Sequence, residues 1–241
     1  MDPLTASPLT AEHRDRLRAA GVEASSLDGP AWARVTDGLP GWWHDCGNAL
    51  YAAQGAWLPE HVVASLGIFP VRDVLIVVGG PMEWLTSLLV GGDRALVFLD
   101  RRCVLTAGEI YCGADSRIVL HGPVVGTRSA IVDARNGGSI VAQGDQLWAA
   151  NVYVATDDMH RLEDRLSGER VNPYGADIHL GRHVWLGRDA VVTGHVDIGE
   201  GSVVGMRSIV RGQKVPPFSV VAGSPARIVR DGVTWSHEDL P

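Results

Sequence analysis

Hydrophobic residues between Ile178 and Val210 follow a repeat of six positions. Written in blocks of six, this stretch reads IHLGRH, VWLGRD, AVVTGH, VDIGEG, SVVGMR and SIVRGQ. The third residue of every block is aliphatic. A helix would place its apolar residues three and four positions apart, and a single strand would alternate without interruption. A period of six is typical of a chain that forms a short strand and a corner in each block.

Three such blocks close one triangular coil of about 18 residues, and stacked coils form an all-β solenoid. The first and third residues of a block are then expected to point inward. Glycine at the fourth position, as at Gly181 and Gly187, is expected to supply backbone angles for the corner. The same phase is predicted to continue through residues 214–219 and 220–225. A β-sandwich is disfavoured because its strands recur at about 8–12 residues.

The repeat divides the chain into three parts. Residues 73–230 form the predicted solenoid, with irregular corners in its early coils, and residues 231–241 form a short polar tail. Residues 1–72 are predicted to be helical or irregular. Within them, Thr10 is expected to cap a short helix that stops at Gly21, and the segment GPAWARVTDGL is a second candidate helix.

A charged segment, residues 161–173, interrupts the repeat and is predicted to be a loop ejected from the solenoid. Such loops carry function more often than the scaffold does. Directly before it stands His160, preceded by Asp157 and Asp158. A histidine with carboxylates nearby has the composition of a general base, but a surface histidine at a corner fits the same residues. The remaining histidines of the repeat are expected to be solvent-exposed corners: His179, His183 and His195.

Composition narrows the class of protein. The net charge is −7 and no block is rich in lysine and arginine, so nucleic acid and anionic membranes have no electrostatic support as partners. No apolar run reaches the length of a membrane span, and no export signal opens the chain. The three cysteines form no paired motif and are expected to be reduced, which favours a cytoplasmic location. Because CxxC and HExxH are absent, no metal site is predicted.

Three stretches carry a family resemblance: HVWLGRDAVV, VDIGEGSVVGMRSIV and VPPFSVVAGSPARIVR. They resemble the C-terminal signature of the hexapeptide-repeat acyltransferases, most closely the polysaccharide and sugar O-acetyltransferases related to maltose and galactoside acetyltransferases. The resemblance covers roughly residues 73–230 and is most specific from Thr156 onward. It implies a left-handed parallel β-helix, although the repeat alone does not define the hand. It also implies acetyl-CoA as the acyl donor and a homotrimer with active sites between subunits.

The resemblance further implies roles for individual residues. His160 would take the proton from the acceptor hydroxyl, and Asp157 or Asp158 would orient the imidazole or bind sugar hydroxyls. Asp133 lies near the place of acceptor-binding residues in relatives, but an aspartate at a corner is the favoured interpretation of this residue. Trp185 would stand beside the cleft. The residues implied to bind CoA are Arg188, Met206, either Arg211 or Lys214, Arg227 and Arg230, with Gly205-Met206-Arg207 replacing the usual G-A-G.

Three functions are consistent with this sequence. The first is acetyl transfer from acetyl-CoA to a hydroxyl of a polysaccharide precursor, an oligosaccharide or a glycosylated small molecule. The second is acetyl transfer to the amine of an amino sugar or an antibiotic. The third is a β-helix scaffold without catalysis. The pairing of His160 with downstream CoA-type residues favours an enzyme, and the hydroxyl acceptor is preferred.

Overall fold

The computed structural model describes residues 8–238, which form a parallel β-solenoid of about seven turns. The helices are α1 (Ala11–Ala19), α2 (Ala24–Asp28) and α3 (Glu60–Ser65). The strands are β1 (Trp32–Arg34), β2 (Ala49–Ala53), β3 (Leu75–Val78), β4 (Leu85–Val90), β5 (Leu96–Leu99), β6 (Cys103–Leu105), β7 (Gly108–Cys112), β8 (Arg117–Leu120), β9 (Val124–Gly126), β10 (Ile131–Ala134), β11 (Ser139–Ala142), β12 (Gln146–Trp148), β13 (Tyr153–Ala155), β14 (Asp177–Leu180), β15 (Trp185–Leu186), β16 (Val191–Thr193), β17 (Val196–Ile198), β18 (Val203–Val204), β19 (Ile209–Arg211), β20 (Lys214–Val215), β21 (Val220–Gly223) and β22 (Ala226–Arg230).

Three sheets form the walls of the solenoid. Sheet 1 has the order β1-β2-β3-β5-β8-β11-β14-β17-β20, sheet 2 the order β22-β21-β18-β15-β12-β9-β6, and sheet 3 the order β19-β16-β13-β10-β7-β4. In each full coil the chain passes from sheet 1 to sheet 2 to sheet 3, as β14, β15 and β16 do. We call the edge between sheets 3 and 1 the loop corner, the edge between sheets 1 and 2 the tail corner, and the edge between sheets 2 and 3 the third corner.

The six-residue repeat defines the core, as the sequence predicts. Ile178 pairs with Val196 and Leu186 with Val204, so neighbouring coils are offset by 18 residues. The first and third residues of the six blocks are all buried: Ile178, Leu180, Val184, Leu186, Ala190, Val192, Val196, Ile198, Ser202, Val204, Ser208 and Val210. The predicted all-β solenoid is therefore confirmed.

Coil length changes along the solenoid. In the early coils Ile118 pairs with Ile140, 22 residues on, which fits the irregular corners expected there. The last coil is shorter, because Ile198 pairs with Val215, only 17 residues on. The predicted phase through residues 214–219 and 220–225 is thus wrong by one position: Val215 and Val221 are buried, while Lys214 is exposed. The reason is a tighter corner after β19.

Glycine serves the corners differently from the prediction. Gly187 does not adopt a positive φ, but a Cβ placed on it would lie 2.7 Å from the backbone nitrogen of Met206 in the next coil. Close stacking of coils therefore requires the fourth-position glycine. The left-handed conformation occurs instead at the sixth position, at His183 with φ 60° and Asp189 with φ 57°.

The N-terminal segment begins as predicted and then departs from the prediction. Helix α1 starts after Thr10, whose hydroxyl accepts a hydrogen bond of 3.1 Å from the backbone N–H of His13. The second candidate helix is wrong, since β1 pairs antiparallel with β2 and Trp32 packs near Phe98 at the outer surface of sheet 1. Burial of this aromatic pair outweighs local helix propensity. β2 also pairs with β3, so sheet 1 begins before Asp73. Within residues 8–238, no helix has the length and apolar character to cross a membrane.

Candidate functional site

The predicted loop leaves the solenoid at the loop corner, between β13 and β14. Asp157 lies at its base and is buried. Its carboxylate accepts hydrogen bonds of 2.9 Å from the Thr156 hydroxyl and 2.9 Å from the backbone N–H of Gly175. These bonds join the two ends of the loop. Asp157 is therefore an anchor of the loop base in this chain, and Asp158 is the aspartate that faces the corner.

Asp158 links the loop to the solenoid. One oxygen, Oδ2, accepts hydrogen bonds from the Arg211 guanidinium at 2.9 Å and from the Asn172 amide at 3.3 Å. Arg211 ends β19, so the contact joins the loop to the coil two turns further on. The other oxygen of Asp158 has no hydrogen bond to any described residue, and the side chain is only partly buried. This carboxylate is held in place with one acceptor oxygen available.

His160 combines a fixed backbone with an exposed ring. Its carbonyl accepts a 2.8 Å hydrogen bond from the Asn172 side chain, and Asn172 also accepts one of 2.9 Å from the backbone N–H of Leu162. The residue is solvent-exposed. No hydrogen bond joins its imidazole to any other residue among those described. Both ring nitrogens are therefore available to a molecule bound at the loop corner.

The outer face of sheet 3 carries a charged pair beside the loop. Asp133 is a buried residue of strand β10, so the prediction of a corner aspartate is wrong. Its two oxygens accept hydrogen bonds of 2.7 and 2.9 Å from Arg135. The Arg135 guanidinium lies 3.9 Å from the ring centre of Tyr111. Burial, followed by the nearby Asp133 charge, raises the pKa of Tyr153. Sequence reasoning identified Asp133 but missed Arg135, because a lone arginine after a strand carries no distinguishing pattern.

Trp185, the predicted substrate-binding residue beside the cleft, and two residues implied to bind the donor lie on sheet 2 or at its border with sheet 3. Trp185 is 38% exposed on the outer face of β15. Arg188 and Met206 follow β15 and β18 at the third corner, on successive coils, and both are exposed. The carbonyl of Arg188 accepts a 2.8 Å hydrogen bond from the backbone N–H of Arg207, which fixes the spacing of the two coils. The third corner is therefore a solvent-exposed edge that continues from one coil to the next.

The cations near the C-terminus are divided between two walls. Arg227 and Arg230 are exposed on β22, the edge strand of sheet 2, and the Arg227 guanidinium donates only to the Ala226 carbonyl, at 2.9 Å, among the described residues. Lys214 lies on sheet 1, where its ammonium is 3.1 Å from Asp197. The structure therefore brings Arg227 and Arg230 together but places Lys214 on a different wall.

Apart from Lys214 on sheet 1 and Asp157, which is buried at the loop base, the predicted site residues form two separate groups within one chain. The loop corner and adjacent sheet 3 carry the group implied to bind the acceptor, together with one cation implied to bind the donor: Asp133, Asp158, His160 and Arg211. Sheet 2 and the third corner carry the other: Trp185, Arg188, Met206, Arg227 and Arg230. The backbone from Met206 to Arg211 crosses sheet 3 between the two corners, a span of at most about 18 Å.

Two cavities bear on the location of the site. A groove of about 450 Å³ lies on sheet 1 beside the loop corner, bordered by Asp177, His195 and Lys214. A larger cavity of about 910 Å³ lies near the N-terminus between β1, β2 and α3, with mostly apolar walls that include Trp32 and Trp57. The larger cavity contains none of the predicted site residues. Only the groove adjoins the loop that carries the candidate base.

Sequence comparison identifies relatives of this chain among known proteins. No family model matches. WbbJ of Escherichia coli K12, named as a lipopolysaccharide biosynthesis O-acetyl transferase, is 33% identical over 108 residues, which are 42% of this chain and 53% of WbbJ. Galactoside O-acetyltransferase of the same strain is 41% identical over 69 residues, 29% of this chain and 32% of that enzyme. The chain thus spans about half, or less, of the length of these curated relatives.

A solved structure extends the likeness over more of the chain. The polySia-specific acetyltransferase NeuO has 25% sequence identity and a TM-score of 0.63, over 71% of this chain and 78% of NeuO. Sequence relatives and fold thus point to the same group of enzymes. They confirm the resemblance inferred from the sequence, to the sugar and polysaccharide O-acetyltransferases built on a β-solenoid.

Proposed function

We propose that this protein is an acetyl-CoA-dependent O-acetyltransferase that acetylates a hydroxyl of a saccharide. The acceptor class is a polysaccharide precursor, an oligosaccharide or a glycosylated small molecule. The observation that carries the proposal is the exposed imidazole of His160, held by its backbone at the loop corner with both nitrogens available. The relatives named as O-acetyltransferases support the choice of a hydroxyl acceptor.

In the proposed mechanism, His160 is the general base. A sugar hydroxyl is a poor nucleophile at neutral pH, so the imidazole accepts its proton as the oxygen attacks the thioester carbonyl carbon. The C–O bond forms and a tetrahedral oxyanion results. The oxyanion then collapses, the C–S bond breaks, and the imidazolium returns the proton to the departing CoA thiolate. The products are the acetyl ester and free CoA.

Asp158 would position the acceptor. Its Oδ2 is occupied by Arg211 and Asn172, which leaves Oδ1 to accept a hydrogen bond from a second sugar hydroxyl. Arg211 was implied by the resemblance to contact CoA. Because its guanidinium already pairs with Asp158 at 2.9 Å, we assign it instead to holding the acceptor-binding carboxylate.

The donor would bind along sheet 2. Arg227 and Arg230 are exposed cations on one edge strand, and a rigid strand with two guanidiniums suits the phosphates of CoA. The pantetheine arm would follow the third corner past Arg188 and Met206, with Trp185 beside it. Lys214 is a weaker candidate for this role, since it lies on sheet 1 and pairs with Asp197.

The two groups of residues argue for an active site between chains. His160 and the arginines of β22 lie on different walls of one prism. A homotrimer packed around a threefold axis would bring the loop corner of one subunit against the last coils of the next, so that each of the three clefts is complete.

Thiol release from acetyl-CoA tests this function. The wild-type protein should release CoA in the presence of a saccharide, and the product should be cleaved by hydroxylamine as an ester rather than persist as an amide. His160→Ala should lower turnover about 10²–10⁴-fold because the base is lost. His61→Ala is the control: it removes an exposed histidine of α3, which lies outside both groups of site residues, and it is expected to retain activity. Absence of both CoA binding and thiol release with every acceptor would establish a scaffold instead.

Mixing of inactive subunits tests the inter-subunit site. His160→Ala chains co-expressed with Arg227→Ala/Arg230→Ala chains should regain about one quarter of wild-type activity, because random mixing completes that fraction of clefts. Each variant alone should stay defective. If the activity of the mixture never exceeds the summed activities of the two separate variants, the base and the donor site belong to one chain.

A further inference from the structure

The C-terminal tail runs along the tail corner. The Val233 N–H donates a 3.0 Å hydrogen bond to the Phe218 carbonyl. Two residues further on, Trp235 stacks on the His183 imidazole with ring centres 4.1 Å apart and planes within 2°. His183 and Asp145 occupy left-handed corner positions on successive coils, with φ of 60° and 66°. The tail therefore passes from the last coil back across earlier ones.

Three side chains of types that commonly ligate metals lie close together at the tail corner. Asp145 lies between two histidines: its Oδ2 is 2.6 Å from His183 Nδ1, and its Oδ1 is 2.8 Å from His237 Nε2. One ligand atom from each of the three residues lies within 4.8 Å of the others. Asp145 and His183 are half-buried, while His237 is exposed on the tail. A cation could enter from the solvent side.

The hydrogen bonds of His183 indicate where a cation belongs. Its Nε2 lies 2.9 Å from the carbonyl oxygen of Trp235. A carbonyl can only accept, so Nε2 must carry a hydrogen. In the neutral imidazole, Nδ1 then has a lone pair, and this lone pair faces the Asp145 carboxylate. Without an ion, a proton must lie between these two acceptors, which are 2.6 Å apart. A zinc ion, whose ligand atoms lie at about 2.0–2.1 Å, would replace that proton as the two atoms separate to about 3.3 Å.

We propose that Asp145, His183 and His237 bind a zinc ion that fastens the tail to the solenoid. Two imidazoles and one carboxylate are a ligand set that zinc accepts, with water completing the tetrahedron. The Trp235 carbonyl would accept from the far nitrogen of His183, as the second partner of a metal-binding histidine usually does. The ion takes no part in the proposed acetyl transfer.

A second histidine–aspartate pair, His179 with Asp197, lacks the second imidazole that the proposed zinc site has. His179 Nδ1 lies 3.1 Å from Asp197, but the other neighbour of that carboxylate is the Lys214 ammonium, at 3.1 Å. A fixed cation there already neutralises the aspartate and would repel a metal ion. In the cluster at the tail corner, the second neighbour of the aspartate is the imidazole of His237 instead of a lysine ammonium. The ligands stand at positions 145, 183 and 237, so no short motif reveals them.

Zinc content measures the site directly. The full chain, stripped with a chelator and dialysed at about pH 7.5 against zinc, should retain about one ion per chain. His237→Ala should bind zinc at least about tenfold more weakly, and its exposed position on the tail makes misfolding an inadequate explanation. Asp145→Asn tests the carboxylate with little change of shape, because asparagine tolerates the left-handed corner. His179→Ala is the matched control and should retain the ion.

Thermal unfolding provides a second readout. Zinc should raise the unfolding midpoint of the wild type and of His179→Ala but not that of His237→Ala, because binding to the folded state alone is stabilising. If the wild type retains no zinc, a proton fills the gap and the proposal is overturned. It is also overturned if His237→Ala and Asp145→Asn retain as much zinc as the wild type, or if His179→Ala loses it equally.

Discussion

The loop corner and the tail corner arise from the same repeat, yet they treat a histidine in opposite ways. At the loop corner, the His160 ring has no hydrogen bond to a described residue and is exposed to solvent. At the tail corner, both nitrogens of His183 are hydrogen-bonded and its ring face is covered by Trp235. One imidazole is available to a substrate, whereas the other is committed to the structure.

The difference lies in what each corner adds to the coil. At the loop corner the chain inserts a segment of its own, and the contacts from Asn172 and Asp157 fix the backbone while leaving the ring free. At the tail corner a distant segment returns and covers the side chains. Reactive or immobilised side chains thus occur where the loop or the tail contacts the regular solenoid. The inward-facing residues of the repeat only form the core.

The largest effect is expected at the base of the loop. Asp157→Ala removes the acceptor for two donors, the Thr156 hydroxyl and the Gly175 N–H, at a buried position. We expect a loss of about 1–3 kcal/mol in the free energy of unfolding, because the partly buried Gly175 N–H loses its acceptor, whereas the Thr156 hydroxyl retains the Arg135 carbonyl at 3.4 Å. Urea unfolding measures this loss. Turnover should also fall, since His160 is displaced with the loop.

The neighbouring aspartate provides the control. Asp158→Asn weakens a partly exposed ion pair with Arg211, which contributes only about 0–1 kcal/mol to stability. Its effect should appear instead in the Michaelis constant for the acceptor. Equal stability losses in the two variants would show that the loop base is not anchored by Asp157, and the comparison between the corners would lose its structural basis.

The fold could be predicted because burial repeats with the coil. An inward column has to be aliphatic or small at every sixth residue, and the sequence displays that requirement directly from Ile178 to Val210. Phase could not be predicted across the tight corner at Gly212, since one residue fewer leaves no mark in the hydrophobic pattern. The strand at Trp32 was also missed, because pairing with β2 and contact with Phe98 are tertiary effects.

The two histidine sites also differ in how far the sequence could predict them. His160 could be proposed because it directly precedes a visible interruption of the repeat. His183 was expected to be a solvent-exposed corner, and this expectation is wrong, because its partners Asp145 and Trp235 are 38 and 52 residues away. Contacts across such separations depend on which coils stack and where the tail returns. A single sequence does not contain that information as a local pattern.

The smallest expected effect concerns the tail itself. Trp235→Ala removes the stack on His183 and the 2.9 Å hydrogen bond from its indole N–H to the His183 carbonyl. We expect the free energy of unfolding to fall by only about 0.5–1.5 kcal/mol, because the tail covers the outside of a finished solenoid. Protease cleavage after Arg230 should become much faster, and mass spectrometry of the fragments measures this.

Trp84→Ala is the control for the loss of a tryptophan. Trp84 is more than half exposed and takes part in no aromatic pair among the described residues, so cleavage after Arg230 should stay slow in this variant. If Trp235→Ala leaves the tail as resistant as in the wild type, the remaining hydrogen bonds are sufficient to hold it: Val233 to Phe218, His183 to the backbone carbonyl of residue 235, and His237 to Asp145. If it instead destabilises the whole protein as strongly as Asp157→Ala, the tail belongs to the cooperative fold, and the tail corner is as integral to the solenoid as the loop base.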